Sequence, residues 1–278
     1  MAGWPRSLPE TPAMQAPNRR HPRRRQRLLA VAAAFVAGLS ALWVLTPSTA
    51  QAQDRAAAFA SAHGSTMLRP GDVPPLLAEA IIATEDERFY QHHGVDVVGI
   101  GRAALTDLRE RCLCQGASTL TEQLMKQLYL GGSDSGMKKL EDVVLAIKVE
   151  GHIGKRQLLA DYLSDAPSGA GLYGMAEASC RYYRVPLDRL DLGEAAMLAG
   201  MPQAPSAYDP LRHPAAAAQR RREVLAAMVS EGYITEQAAA AAGAEPVVTA
   251  SGAPNAQCAP PGSRVAGLTG GTAGSPAA

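Results

Sequence analysis

Aromatic side chains are scarce in this sequence, at 5% of 278 residues. No segment is rich enough in β-branched and aromatic residues to read as a strand, and no internal repeat is visible. Much of the apolar content is alanine, which favours helices over strands. Charge of one sign is also lacking: 27 basic and 26 acidic residues leave a formal net charge of +1, so nothing global points to nucleic acid. There are four cysteines, Cys112, Cys114, Cys180 and Cys258. Cys112-Leu113-Cys114 is too short for a CxxC redox motif, and no second pair sits at zinc spacing. A disulfide fits only if the domain lies outside the cytoplasm, and spacing does not choose among the pairings.

Local composition says more than the global balance. Residues 1–27 are rich in Pro and Arg, without apolar periodicity, and read as a basic disordered tail. From Leu28 to Leu45 there is no charged residue. That length, about 18 residues, is at the lower edge of a membrane span. The arginines ahead of it favour an N-terminus inside and everything after it outside. An uncleaved anchor is the favoured reading. A secretory signal cleaved at Ala50-Gln51-Ala52 is the alternative, and either one exports the rest of the chain. Residues 46–73 read as a linker, 74–243 as the folded domain, and 244–278, dominated by Pro, Gly, Ala, Ser and Thr, as a disordered tail.

Within the domain, helices are expected throughout. Pro74-Pro75 opens one that runs into Glu85-Asp86-Glu87-Arg88-Phe89-Tyr90-Gln91-His92-His93-Gly94. Glu85, Phe89 and His92 stand at i, i+4 and i+7, one face of a helix, and Gly94 would stop it. A carboxylate, a ring and an imidazole on one face suit sugar binding and proton removal. A solvated helix end with one packed Phe fits the decapeptide equally well. Further helices are predicted over Val95–Leu108, Lys138–Glu150, Lys155–Leu163, Ala176–Tyr183, Leu192–Leu198, Gln219–Glu231 and Thr235–Ala242. Between the first two of these, Thr119 and Glu122 have capping-box spacing, with Leu120, Leu124 and Leu128 as the apolar stripe of a capped helix. Ser118, Thr119 and, one to two turns on, Lys126 could make an anion seat at its start.

Several motifs in one order carry more than any one alone. The decapeptide resembles the first motif of the family 51 peptidoglycan glycosyltransferases, the transglycosylase module of bifunctional penicillin-binding proteins. Gly116 to Lys126 is similar to the second motif, and Lys138-Lys139-Leu140 with Ala146 and Glu150 to the third. Lys155 to Gly174 resembles the fourth, and Glu194 to Gly200, continuing to Pro205, Tyr208 and Pro210, the fifth. The match is collinear over roughly Pro74 to Thr235.

The resemblance implies a mainly α, lysozyme-like domain with a membrane-touching lobe, here preceded by one transmembrane helix. It implies polymerisation of lipid II into glycan strands in cell wall synthesis, at the outer side of the plasma (inner) membrane. Glu85 would be the base. Asp142 is favoured as the second acidic group because the third motif aligns on it and its neighbours are apolar; Glu141 stays as the alternative. Asp86, Phe89, His92, Ser118, Thr119 and Gln123 would bind substrate, and Lys126, Lys138 and Lys139 would stabilise the leaving pyrophosphate. No cofactor is required, although a divalent cation, Mg2+ or Mn2+, could share the pyrophosphate charge. The expected partners are lipid II, the growing strand, the membrane and other cell-wall synthesis proteins, with no nucleic acid. After Gly243 too few residues remain for a transpeptidase domain, and neither Lys-Thr-Gly nor Ser-x-Asn occurs, so a monofunctional enzyme is expected. The departures are Asp142 where the family has Glu, Glu122 where it has Gln, Ala160 where it has Glu, and Ser164 with Asp165-Ala166-Pro167 in place of Asn and an aromatic. They keep a second reading open: a catalytically weakened relative that binds lipid II or glycan as a scaffold or regulator.

Overall fold

A computed structural model describes residues 22–110, 118–133, 136–247 and 258. The chain divides into two units, residues 1–45 and 46–278. The first holds α1, Pro22–Leu45. A helix thus forms where the anchor is expected, and it also takes in the last residues of the stretch read as a disordered tail. Its uncharged part is about 18 residues, roughly 27 Å of helix against a hydrocarbon core of about 30 Å. Among the described residues, no helix is long and apolar enough to cross a membrane.

The second unit is helical, as the alanine-rich, aromatic-poor composition predicts. In order it contains α2 (Ala52–His63), α3 (Pro75–Glu85), α4 (Val97–Glu110), α5 (Leu120–Leu130), α6 (Gly136–Glu150) and α7 (Lys155–Asp165). Then follow α8 (Met175–Tyr182), a 3-10 turn at Leu187–Arg189, α9 (Leu192–Gly200), α10 (Pro214–Ser230) and α11 (Glu236–Ala244). Among the described residues the only β feature is an isolated bridge between Pro167 and Tyr173. The starts follow capping chemistry. Pro75 opens α3 and Pro214 opens α10. Asp191 and Glu194 form a complete capping box on α9, and the Thr235 hydroxyl caps α11.

α3 is the axis of the packing. Leu77, Ala80 and Ile81 are fully buried, and the helix contacts α9 and α10. On α9 the buried Ala195, Ala196 and Ala199 are small enough to let backbones approach closely. α10 meets it with Ala217, Val224 and Met228, all buried. Truncating a core residue such as Ile81 to Ala would cost about 2–5 kcal/mol. On the other side α5 packs on α6 and α7.

Two expectations of organisation need correction. Residues 46–73 are not simply a linker: the 12 residues of α2 fall within them, and α2 packs on α5 and α7. Ala52, Ala56 and Ala60, at i, i+4 and i+8, form a buried stripe on α2. The decapeptide is not one helix. α3 ends at Glu85, Asp86 takes φ −159°, ψ 68°, and turns follow. Glu85, Phe89 and His92 therefore do not share a helical face. Gly94 ends the turns at φ 88°, where an added Cβ would lie 2.7 Å from the Ala146 and Ile147 backbone of α6; only glycine fits there. A disulfide joins Cys180 on α8 to Cys258. Cys112 and Cys114, Gly116 of the second motif, and the rest of the tail beyond residue 247 lie outside the described residues.

Candidate active site

The break at Asp86 has a visible cause. Its carboxylate accepts from His92 Nε2 at 2.9 and 3.0 Å and from the Leu120 amide at 3.0 Å. That amide belongs to the first turn of α5, where a carboxylate is favoured by the unsatisfied N–H groups and the helix dipole. Asp86 thus joins the end of α3 to the start of α5. Thr119 closes the same junction: its hydroxyl donates to Gly94 O at 2.7 Å and accepts from the Glu122 amide at 3.1 Å. Only half of the expected capping box forms, because the Glu122 side chain goes elsewhere.

A second set of contacts braces the first. Lys155 Nζ lies 3.2 Å from His92 Nδ1, 2.8 Å from Glu150 Oε1 and 4.4 Å from the Phe89 ring centre. Thr121 donates to the same Glu150 oxygen at 2.6 Å. With Nδ1 accepting from the ammonium, His92 donates through Nε2 to Asp86. Phe89 is completely buried and His92 nearly so. Neither lines the cleft; both stand behind Asp86 and brace it.

The cleft, about 280 Å³, lies between the end of α3, the start of α4 and the segment leading into α5. Glu85, Asp86, Glu87, Arg102, Ser118 and Thr119 line it. Arg102 pairs with Glu87, and Arg88 with Asp96 at 3.2 Å. Glu85 has one-tenth of its side chain exposed. Gln123 Nε2 donates to Oε2 at 3.0 Å, and Tyr162 donates to Gln123 Oε1 at 3.1 Å, which fixes the amide's orientation. Arg220 Nη2 reaches Oε1 at 3.4 Å. Burial pushes the Glu85 carboxyl above its ordinary value, and Asp86 adds to this, while Gln123 and Arg220 pull it back. A carboxyl raised in this way is a better proton acceptor.

The lysine-bearing helices meet beside Ser118. Lys139 donates to Ser118 Oγ at 2.9 Å, to Glu122 Oε2 at 2.9 Å and to Asp142 Oδ2 at 3.5 Å. Asp142 is buried and its Oδ1 has no hydrogen-bond partner. Burial pushes its carboxyl up, against the charges of Lys139 and Lys126. Glu141 is half-buried on the neighbouring flank of α6, and Lys138 turns back to the Leu130 carbonyl at 3.4 Å. Of the two acids weighed for the third motif, Asp142 is the one gathered with Lys139, Lys126 and Glu122.

Arg220 was missed by sequence reasoning, and the signal was present. Ala217, Arg220, Arg221, Val224 and Met228 keep the spacing of the buried stripe of α10, so an arginine there has to meet a partner inside. Tyr162 and Glu150 were read only as parts of motifs. Among the described residues no group of three or more His, Cys, Asp or Glu is arranged to hold a metal ion.

The family model described as Transglycosylase matches residues 53–229. Penicillin-binding protein 1A of Escherichia coli (strain K12) is 44% identical over 165 residues, 59% of this chain and 19% of the relative. The same-named proteins of Neisseria gonorrhoeae and Vibrio cholerae are 42% and 40% identical over 60% and 65% of this chain. The chain spans about a fifth of the length of these relatives, 19–22%. A crystal structure of penicillin-binding protein 1A from Haemophilus influenzae is 23% identical, with a TM-score of 0.39, covering 67% of this chain and 18% of that one. With most of the folded unit inside the family match, and the buried carboxylate, the Gln123 amide and the lysine cluster all within it, this chain belongs to the transglycosylase family, the family 51 glycosyltransferases.

Proposed function

We propose that this protein is a peptidoglycan glycosyltransferase that polymerises lipid II into glycan strands. The observation that carries the proposal is Glu85: a buried carboxylate at a cleft, raised in basicity and fixed by Gln123 and Arg220, in a chain of this family. In the reaction, the 4-hydroxyl oxygen of one substrate attacks the anomeric carbon of another. The new C–O bond forms as the bond to pyrophosphate breaks, the hydroxyl proton passes to Glu85, and the anomeric configuration inverts. Gln123 and Arg220 hold the carboxylate so that an oxygen is presented without reorganisation. Lys139 and Lys126, with Lys138 on the same helix as Lys139, meet the growing negative charge of the leaving group. Asp142 acts through Lys139, which it touches.

A lipid-linked substrate requires the cleft to work at a membrane surface. α4 leaves Val97, Val98, Ile100, Leu105 and Leu108 exposed, next to the residues that line the cleft. An apolar face of that kind suits a lobe that dips into the interface. α1 would tether the domain to the inner membrane with its arginines inside. The Cys180–Cys258 disulfide supports an oxidising, extracytoplasmic location.

Incubating the detergent-solubilised protein with lipid II and following products by mass spectrometry tests the proposal. Long glycan strands are expected. Unchanged lipid II would favour a binding scaffold, and cleavage of preformed strands a hydrolase.

A further inference from the structure

An ammonium group has three hydrogens to donate, and those of Lys139 are all taken within the chain. Ser118 and Glu122 hold it at 2.9 Å each, and Asp142 at 3.5 Å is the long contact. Glu122 is almost completely buried, whereas 42% of the Lys139 side chain is exposed. The carboxylate is therefore the fixed partner and the lysine the part nearer solvent, beside Ser118, which lines the cleft. Glu122 is itself locked, because its amide caps onto Thr119 at 3.1 Å, and Thr119 is bonded to Gly94 O at 2.7 Å.

We propose that Glu122 is a positioning residue of the transferase site: it holds the Lys139 ammonium at Ser118, on the lip of the cleft, while the weaker Asp142 contact yields to the substrate's phosphate oxygens. The proposal rests on the glycosyltransferase reading. The acid that fixes the lysine comes from α5, and the acid that is exchanged comes from α6. Asp142 is one methylene shorter than the glutamate expected there, and its contact is the long one. Glu122, where glutamine was expected, supplies the short one. The charged groups facing this cluster are Lys126 on α5 and Lys139 on α6, together with the two carboxylates themselves. Burial raises the Glu122 carboxyl even with the ammonium beside it. Burial works against the charged form of Lys139, but the bonds and charges of Glu122 and then Asp142 carry its pKa up.

The test uses the full chain with Glu122→Gln, and Glu122→Asp as a second variant that keeps the charge at shorter reach. Replacing the ion pair by a bond from the ammonium to a neutral amide oxygen should raise KM for lipid II about tenfold, with kcat changed by about twofold or less. Glu122→Asp should fall between this variant and wild type. Separately, the rate of reductive methylation of Lys139, read by peptide mass spectrometry at mildly alkaline pH, should rise on the order of threefold in Glu122→Gln, because the amine is more often unprotonated. A purely packing role would move the melting temperature and leave both readouts alone. Wild-type KM with unchanged labelling overturns the proposal, and so does faster labelling with wild-type KM. A wild-type protein that makes no glycan sinks the glycosyltransferase reading instead, and the labelling rates still decide whether Glu122 holds Lys139.

Discussion

At the scale of single residues, the site separates the group that takes the proton from the groups that hold charge. Glu85→Gln keeps shape and removes the base, so polymerisation should fall on the order of 10²–10⁴-fold, with the fold kept. The ionised form of Glu85 is the active one, and burial raises its pKa above the ordinary 4.5. The rate should therefore decline on the acid side at a higher pH than a solvent-exposed glutamate would give. The residual rate of Glu85→Gln should lack that limb, and a profile shared with wild type would take Glu85 out of the base role. Asp142→Asn and Glu141→Gln separate the two acids of the third motif. Asp142 touches Lys139 and carries an unpartnered buried oxygen. Its amide variant should lose about tenfold or more in turnover without losing thermal stability. Glu141→Gln should change neither rate nor melting temperature, and steady-state rates of both variants on lipid II decide the matter.

At the scale of elements, α7 carries a stress of its own. Asp161 and Asp165 stand at i, i+4 on its buried face, and neither carboxyl oxygen of Asp165 has a partner. Burial first, and then the Asp161 charge, push the Asp165 pKa from 3.8 to about 8. In the unfolded chain this carboxyl gives up its proton near 3.8, so between there and about 8 the folded state binds more protons than the unfolded one. Stability must then fall as pH rises through that window. Melting temperatures of wild type should decline from pH 4 to 8, and those of Asp165→Asn should decline less. Identical slopes would mean that Asp165 is hydrated.

The helices themselves were legible where apolar periodicity and caps coincide, as at α5, α9 and α11. α2 was not, because its stripe is alanine only and sits in a stretch that looks like linker. The decapeptide was misread for the opposite reason. Its i, i+4, i+7 pattern is helical, but the Asp86 carboxylate prefers the amide of Leu120, 34 residues on. Local spacing cannot display that contact. Glu85, Gln123 and the lysines were legible as motif positions. The reach of Arg220 from α10 and the coupling of Glu122 to Lys139 depend on packing between helices distant in sequence.

At the scale of the whole molecule, a helix with arginines at its start and an uncharged remainder precedes a domain that leaves apolar residues of α4 exposed. Most of the protein should stay in the pellet after alkaline carbonate extraction of membranes. Release of most of it as a soluble form beginning near Gln53 would indicate a cleaved signal in place of an anchor.

The bond between Cys180 and Cys258 closes a ring through 78 residues of sequence, and α9, α10 and α11 all lie inside it. Arg220, which reaches Glu85, therefore sits on a covalent loop rather than on a free arm. A protease that cuts the turns between α9 and α10 leaves both ends tied, and the nicked molecule migrates as one species until a reductant opens it. Severing the backbone once is not enough to separate Arg220 from Glu85: the chain on the far side of the cut still returns to α8 through sulfur.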